Sequence, residues 1–471
     1  MIHGETAVLN DPIYYSSATD LAQALVAKEI SSVELLDVLI SRVELVNPAL
    51  NAVVCTDLDR AREEAQQADK RLLKGDLLGP LHGIPMTIKD SIDTEGIITT
   101  GGTIGRKNHV PTEDASVVKR LKNAGAIIFG KTNTPELTLS FETANEVYGV
   151  TLNPYDIKRS PGGSSGGAAA ILASGGSPIE IGSDYGGSIR VPSAFCGTVG
   201  IKPTMGRVPR TGHIFPYGGL TDSFQQLGPM ARNVKDLILL LDILSGPDSK
   251  DPAIVPIELG HPDRVDIRQL SIGYFATTEL APTAPRIQET IQDVAKAMSP
   301  IIRRMKEIEP VAFSDAYRIG MEMFNADRGA ARERLLRQAG TITDPVSIAS
   351  KYDSKELDSL ITQYFDVRSN MLNGYSDYDI IISPANAGTA PYSQTLTSLD
   401  PFSYTIVHNV SGWPSAVIRC GTDEQKLPIG IQITAKPGGE DIVLATCDWL
   451  ESEFGGFTPP GDQFLNPIAD E

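Results

Sequence analysis

Between Ser160 and Arg190 the chain reads "SPGGSSGGAAAILASGGSPIEIGSDYGGSIR", and no other stretch limits the fold as tightly. Glycine and serine at this density suit a flexible linker, but a linker has no reason to enclose apolar runs. "AAAILA" and "PIEI" are two such runs, the first helix-like and the second strand-like. A phosphate cradle fits no better. "GGSSGG" precedes an alanine-rich helix whose N–H groups could face an anion. It lacks both the lysine of G-x-x-x-x-G-K-[ST] and the G-x-G-x-x-G spacing with an acidic residue about 20 positions on. The remaining use of such a stretch is chemical, with backbone amides and hydroxyls crowded beside one buried strand.

The surrounding pattern places that strand in an α/β fold. "SSVELLDVLISRVELVN" opens with a capping box from Ser31 to Glu34 and continues at helical spacing through Val33, Leu36, Leu39, Ile40 and Val43. "ASVVKRLKNAGAIIFGKTN" predicts a helix closed at Gly125 and a buried strand over Ala126–Gly130. "SPIEIGS", "LSIGYF", "YDIIISP", "PSAVIRCG" and "LPIGIQITA" read as further strands, with helical patterns such as "NVKDLILLLDIL" and "EDIVLATCDWLESEF" between them. This alternation predicts one α/β domain over residues 1–471, with a central mostly parallel or mixed sheet covered by helices on both faces. Within it we distinguish N-terminal helices (1–75), a core carrying the motifs (76–245), a mostly helical variable region (246–375) and a return to the sheet with a last helix (376–471).

Composition excludes several functions. With 41 basic and 59 acidic residues the net charge is −18, which disfavours non-specific binding to nucleic acid or to an anionic membrane. No apolar run approaches the ~18 residues of a membrane-spanning helix, and "MIHGETAVLNDPIYYSS" has neither the basic nor the apolar region of a leader, so the expected location is cytoplasmic. The cysteines Cys55, Cys196, Cys420 and Cys447 are widely spaced and read as buried free thiols. No His/Cys/Asp/Glu group has ligand spacing, so neither metal nor cofactor is expected.

In "SPIEIGSDYGGS" a strand runs into a Gly-Gly turn ending at Ser188. Small residues let the backbone N–H groups of Tyr185, Gly186, Gly187 and Ser188 converge on one spot, as an oxyanion hole beside a hydroxyl nucleophile requires. The alternative is a tight turn in which Ser188 only satisfies the backbone. The pattern is not the G-x-S-x-G elbow. A serine nucleophile needs a base. His82 in "LHGIPMTIKD" is the histidine in motif-like surroundings among the six of the chain. Lys89, which ends the strand-like "IPMTI", is the other candidate: it is either surface-directed or held inside, where desolvation lets an amine accept a proton.

Together these segments resemble the amidase signature family. The resemblance runs from about residue 17 to 460 and is weakest over about 250–375; it rests on "GPLHGIPMTIKDSIDTEGIITTGGT", "AIIFGKTNTPEL", "NPYDIKRSPGGSSGGAAA", "GSDYGGSIRVPSAFCGTVGIKPTMGRV", "GPMARNVKDLILLLD" and "LPIGIQITAKPGGEDIVL". It implies a Ser–Ser–Lys triad, with Ser188 as nucleophile, Ser164 as the bridging serine on a cis peptide, and Lys89 as base. Asp184 and Arg190 are read as a structural pair and Cys196 as a packing residue. Ser91 stands where asparagine is common in the family.

The resemblance implies a hydrolase of carbon–nitrogen bonds in linear carboxamides acting through a serine acyl-enzyme. The alternative is the glutaminase-type component of an aminoacyl-tRNA amidotransferase, its A-type chain. "HIFPYGGLTDSFQQLGPMAR" and "NVSGWPSAVIRCG" depart from the patterns expected of such chains, so the expectation is a free-standing enzyme on a small-molecule amide, with no nucleic acid and no membrane as partner, and a homodimer allowed. Met321, Met323, Phe324 and Phe402, with the loop around Phe215–Tyr217, are the candidates for an apolar substrate pocket.

Overall fold

A computed structural model describes residues 9, 12–342 and 352–465. Most of the N-terminal segment read above as leaderless lies outside the described residues. The capping box forms as read: Ser31 caps the helix Ser32–Leu50, and its side chain and that of Glu34 bond each other's backbone N–H. Leu35, Leu36, Leu39, Ile40 and Val43 of that helix are buried.

Three strands, β1 (Val53–Thr56), β2 (Pro85–Lys89) and β3 (Ile127–Thr132), make a small sheet in the order β1-β3-β2. The helix before β3 spans Ser116–Asn123, and Gly125, at φ +99°, turns the chain into the strand. A two-stranded ribbon, β4 (Ala144–Asn145) and β5 (Gly149–Val150), follows.

The large sheet holds the other strands: β6 (Ile179–Asp184), β7 (Val199–Lys202), β8 (Gln226–Ala231), β9 (Ser271–Tyr274), β10 (Arg304–Glu307), β11 (Ile380–Pro384), β12 (Ser415–Thr422) and β13 (Pro428–Ala435). Their order is β10-β9-β11-β13-β12-β7-β8-β6. The sheet is mixed: β9 pairs in parallel with β10 and β11, and the other five neighbour pairs are antiparallel. Parallel pairing is thus the minority, because β12 and β13 form a hairpin and β7 and β8 lie antiparallel beside it.

The fold is a single α/β domain. The principal core lies between sheet and helices and takes in Ile181, Ile201, Ile272, Ile382, Ile418 and Ile431 from the strands. A second apolar cluster sits where the variable region packs on the sheet, with Ile319, Met323, Tyr364, Val367, Val407 and Trp413. The variable region contributes the helices Pro285–Met298, Phe313–Asn325, Ala330–Gln338 and Ser354–Gly374. Among the described residues no helix is long and apolar enough to cross a membrane.

Candidate active site

Lys89 closes β2 in the small sheet, while Ser183 and Asp184 close β6 in the large one. Thr87 Oγ1 on β2 donates to Glu180 on β6, and Thr87 N donates to Ser177 Oγ, just before β6, at 3.1 Å. Alternation along β2 puts Thr87 and Lys89 on the same face, so Lys89 also points across this seam. It does not reach the surface; its exposure is 0%.

Lys89 Nζ lies 2.7 Å from Ser164 Oγ, 2.8 Å from Ser165 Oγ and 2.9 Å from Ser183 Oγ. Burial lowers its pKa well below the usual value, against the pull of Asp184 and Glu180. Both opposing charges are blunted. Asp184 is neutralised by Arg190 at 2.8 Å. Burial raises Glu180 to about 8, so near pH 7 it is mostly an uncharged acid. A neutral amine has two N–H groups and one lone pair, and three hydroxyls around it satisfy all three.

Gly163–Ser164 is a cis peptide. It opens the turn into the helix Gly166–Ala173. Gly163 has no room for a side chain: a Cβ would stand 2.7 Å from the Phe141 backbone. The next residue ties this loop to the second serine cluster, since Ser165 N donates to Ser188 O at 3.1 Å. Ser188, 5% exposed, lines a cavity of about 340 Å³ with Tyr185 and Gly186.

The Asp184–Arg190 pair shapes the turn. Asp184 accepts from Gly187 N at 2.9 Å and Ile189 N at 3.1 Å, from Arg190 Nη2 and Nε at 2.8 and 3.0 Å, and from Asn409 Nδ2 at 2.8 Å. Burial alone would raise this carboxyl; the Arg190 charge and the hydrogen bonds outweigh it and hold it at about 2. Gly187, at φ +136°, has its N–H committed to Asp184. Of the four N–H groups expected to form an oxyanion hole, that of Gly187 is therefore already taken. Thr405 and Asn409, on the helix Ser403–Ser411, brace the turn from behind: Thr405 Oγ1 donates to Gly186 O at 2.7 Å.

The other candidates separate cleanly. His82 is a structural residue: Leu78 N donates to its Nδ1 at 3.1 Å, and its Nε2 lies 3.0 Å from Ala68 O. It lines a different, larger cavity that Lys89, Ser164 and Ser188 do not touch. Cys196 is buried against Pro161 O, and burial raises its thiol. Met321 and Phe324 line the cavity beside Ser188. Met323 faces the second apolar cluster, and Phe402 stacks behind the wall on Phe141 at 4.0 Å. Phe215 packs on Tyr185 at 5.4 Å. Sequence reading missed Ser165, Ser183, Glu180, Thr405 and Asn409. The first three sit inside the quoted motifs, where a second hydroxyl beside Ser164 and a lone acid within the apolar "PIEI" were the available signals. Thr405 and Asn409 carry no local signal at all.

The Amidase family pattern matches residues 34–373 and 362–444. The chain belongs to the amidase signature family. As a member it is a hydrolase of carbon–nitrogen bonds. It is 32% identical over 480 residues to the A-type chain of the glutamyl-tRNA(Gln) amidotransferase of Carboxydothermus hydrogenoformans, covering 93% of this chain and 97% of that protein. The corresponding protein of Picosynechococcus is 32% identical over 479 residues, covering 91% and 96%. Among solved structures, 6-aminohexanoate cyclic dimer hydrolase complexed with substrate superposes with a TM-score of 0.86 at 26% identity, over 96% of this chain and 100% of that one.

These relatives correct two expectations. The free-standing hydrolase of linear carboxamides gives way to the amidotransferase reading, because identity extends over nearly the whole of both chains. The departures that favoured the former lie in short segments, one of them the exposed loop around Tyr217, where substitution disturbs little packing. The partner expectation, a small-molecule amide with no nucleic acid, falls with it. A net charge of −18 constrains only what this chain itself touches.

Proposed function

We propose that this chain is the amide-cleaving component of a tRNA amidotransferase, freeing ammonia from an amide donor for use by partner subunits. The observation that carries this reading is the 32% identity over 93% of the chain and 97% of a named amidotransferase component. The burial of Lys89 among three hydroxyls supports the chemistry.

In this reading Ser188 Oγ attacks the amide carbon. Its proton passes to Ser164 Oγ, whose own proton passes to the neutral Lys89 Nζ. The new C–O bond pushes the carbonyl electrons onto oxygen, where the N–H groups of Tyr185, Gly186 and Ser188 receive them. Collapse of this intermediate breaks the C–N bond. The proton returns through Ser164 to the departing nitrogen, which leaves as ammonia. Water then attacks the acyl-enzyme by the same relay and restores Ser188.

The test is reconstitution with the partner subunits of the same organism and glutamyl-tRNA. The complex is expected to amidate the tRNA-bound glutamate. Ser188→Ala is expected to abolish amidation from an amide donor and to spare amidation from added ammonia, because the nucleophile serves only to release it. Full amide hydrolysis by the lone chain, with no amidation in any reconstituted mixture, sinks the amidotransferase reading.

A further inference from the structure

One wall of the cavity over Ser188 comes from a surface loop, residues 390–400, that the proton relay does not use. Leu396 and Leu399 of this loop line the cavity together with Met321 and Phe324 of the helix Phe313–Asn325. Among the described residues, the hydrogen bonds of residues 395–399 stay local. Thr395 Oγ1 donates to Tyr392 O at 2.7 Å, Ser398 Oγ accepts from Asp400 N at 3.1 Å, and Leu399 O accepts from Phe402 N at 3.0 Å. Beyond their apolar contacts, Leu396 and Leu399 are therefore placed by the two ends of the loop.

The far end is tied by Tyr317, whose hydroxyl donates to Asp400 Oδ1 at 2.9 Å, and by the stack of Phe402 on Phe141. The near end is tied by Arg159, the first residue of "RSPGGS", which ends at Ser164. Arg159 is itself held from its own side: Nε donates to Asp156 at 3.1 Å, and its backbone oxygen accepts from Asn153 N at 3.0 Å. Nη1 then donates to Ala390 O at 2.6 Å, and the guanidinium lies over the Tyr392 ring, 4.4 Å from its centre. Two backbone bonds run alongside, Ser160 N to Pro391 O at 2.9 Å and Ser393 N to Lys158 O at 3.0 Å. Arg159 is 8% exposed and Tyr392 is 54% exposed, and neither lines the cavity. Replacing an exposed residue far from any site changes little, whereas a planar cation seated on an aromatic face fixes both groups in one orientation.

We propose that Arg159 and Tyr392 are positioning residues for the amide donor: they lock the near end of the loop to the segment leading into Ser164, and so hold Leu396 and Leu399 against a donor bound at Ser188. This rests on the amide-cleaving reading above. Because Asp156 and Asn153 hold Arg159 from the other side, removing the Tyr392 ring frees the loop and leaves the Ser164 turn in place. The lock touches neither nucleophile nor base, so its loss weakens donor binding and spares the chemical step.

The test is Tyr392→Ala in the full chain with its partner subunits, assayed by ammonia release from glutamine, with Tyr392→Phe and Leu399→Ala beside it. Loss of the cation–π contact is expected to raise KM for glutamine about 3- to 10-fold, with kcat and Tm unchanged. Tyr392→Phe keeps the ring face and should bring KM back to within about 2-fold of wild type. Tyr392→Ala and Leu399→Ala combined should raise KM by less than the product of their separate effects, since both act on one wall. An unchanged KM in Tyr392→Ala, a fall in kcat and Tm with KM unmoved, or separate effects that multiply in full overturns the inference and leaves the amide-cleaving reading standing. A wild-type complex that releases no ammonia from glutamine removes that reading, and the inference with it.

Discussion

Replacing Asp184 by asparagine keeps the side-chain shape and removes one charge from a pair whose two members are both fully buried. Oδ1 now faces donors on Gly187, Arg190 and Asn409, and Oδ2 faces donors on Ile189 and Arg190. An asparagine in either flip therefore turns its NH₂ toward N–H groups and leaves the Arg190 charge unbalanced. Breaking a buried pair on one side costs about 3–5 kcal/mol. The fall of the Asp184 pKa from 3.8 to about 2 corresponds to about 2.5 kcal/mol. The larger range is the better guide, because protonating the acid removes charge without pointing new donors at old ones. An unfolding entropy of about 2.1 cal/mol/K per residue over 471 residues gives roughly 1 kcal/mol/K. Scanning calorimetry should then show Tm lowered by about 3–5 °C. The sign with pH is also fixed. A depressed carboxyl contributes stability that is fully present above 3.8 and lost as pH falls through about 2, so the gap between wild type and variant should shrink as pH falls from about 4 towards 2. A Tm within about 1 °C of wild type at neutral pH, or a gap that does not shrink in acid, refutes the argument.

Three further outcomes follow from the same geometry. Because burial lowers the Lys89 pKa and the neutral amine is the acting form, kcat/KM should rise with pH through one group titrating well below ~10; Lys89→Arg should lose that limb and nearly all turnover, since guanidinium stays protonated, and an active arginine variant would assign Lys89 a purely structural role. Ser164→Ala should lower kcat by ~10²–10⁴, measured by ammonia release, and a near-wild-type rate would remove it from the relay. Gly187→Ala would set a Cβ 2.2 Å from Thr405 Oγ1 at a φ of +136°; it should destabilise the turn by at least about 1 kcal/mol and cut turnover, and unchanged denaturation and kcat would show that the helix behind yields freely.

Much of the site was legible because its residues lie in short, unusual stretches. "DYGGS" singles out Ser188 and "IPMTIKD" ends a buried strand at Lys89, while Ser164 came from the resemblance of "GGSSGG" to the family. β6, β9, β11, β12 and β13 were readable as apolar runs bounded by turn residues. β7, β8 and β10 were not. Gly200 and Gly228 interrupt the first two, and β10 is the edge strand "RMKE" with mostly exposed side chains, so no apolar period marks it. Thr405 and Asn409 stay invisible for another reason. They act on the Asp184 turn from more than 200 residues away in the chain, and only the packing of the helix Ser403–Ser411 brings them there. The amidotransferase reading lay beyond local patterns altogether, because it rests on likeness along the whole chain.

Lys89 stands on the small sheet and Ser183 on the large one, with Ser164 and Ser165 on the loop before the helix Gly166–Ala173, and the side chains of one narrow seam hold the two sheets in register. The proton relay is thus a gauge of how the small sheet is docked, set by contacts that neither sheet supplies alone. Loosening of that docking would silence the reaction while both sheets remain folded. In graded denaturant, turnover should fall before the far-ultraviolet circular dichroism changes; coincident loss of the two would mean that seam and sheets melt as one unit.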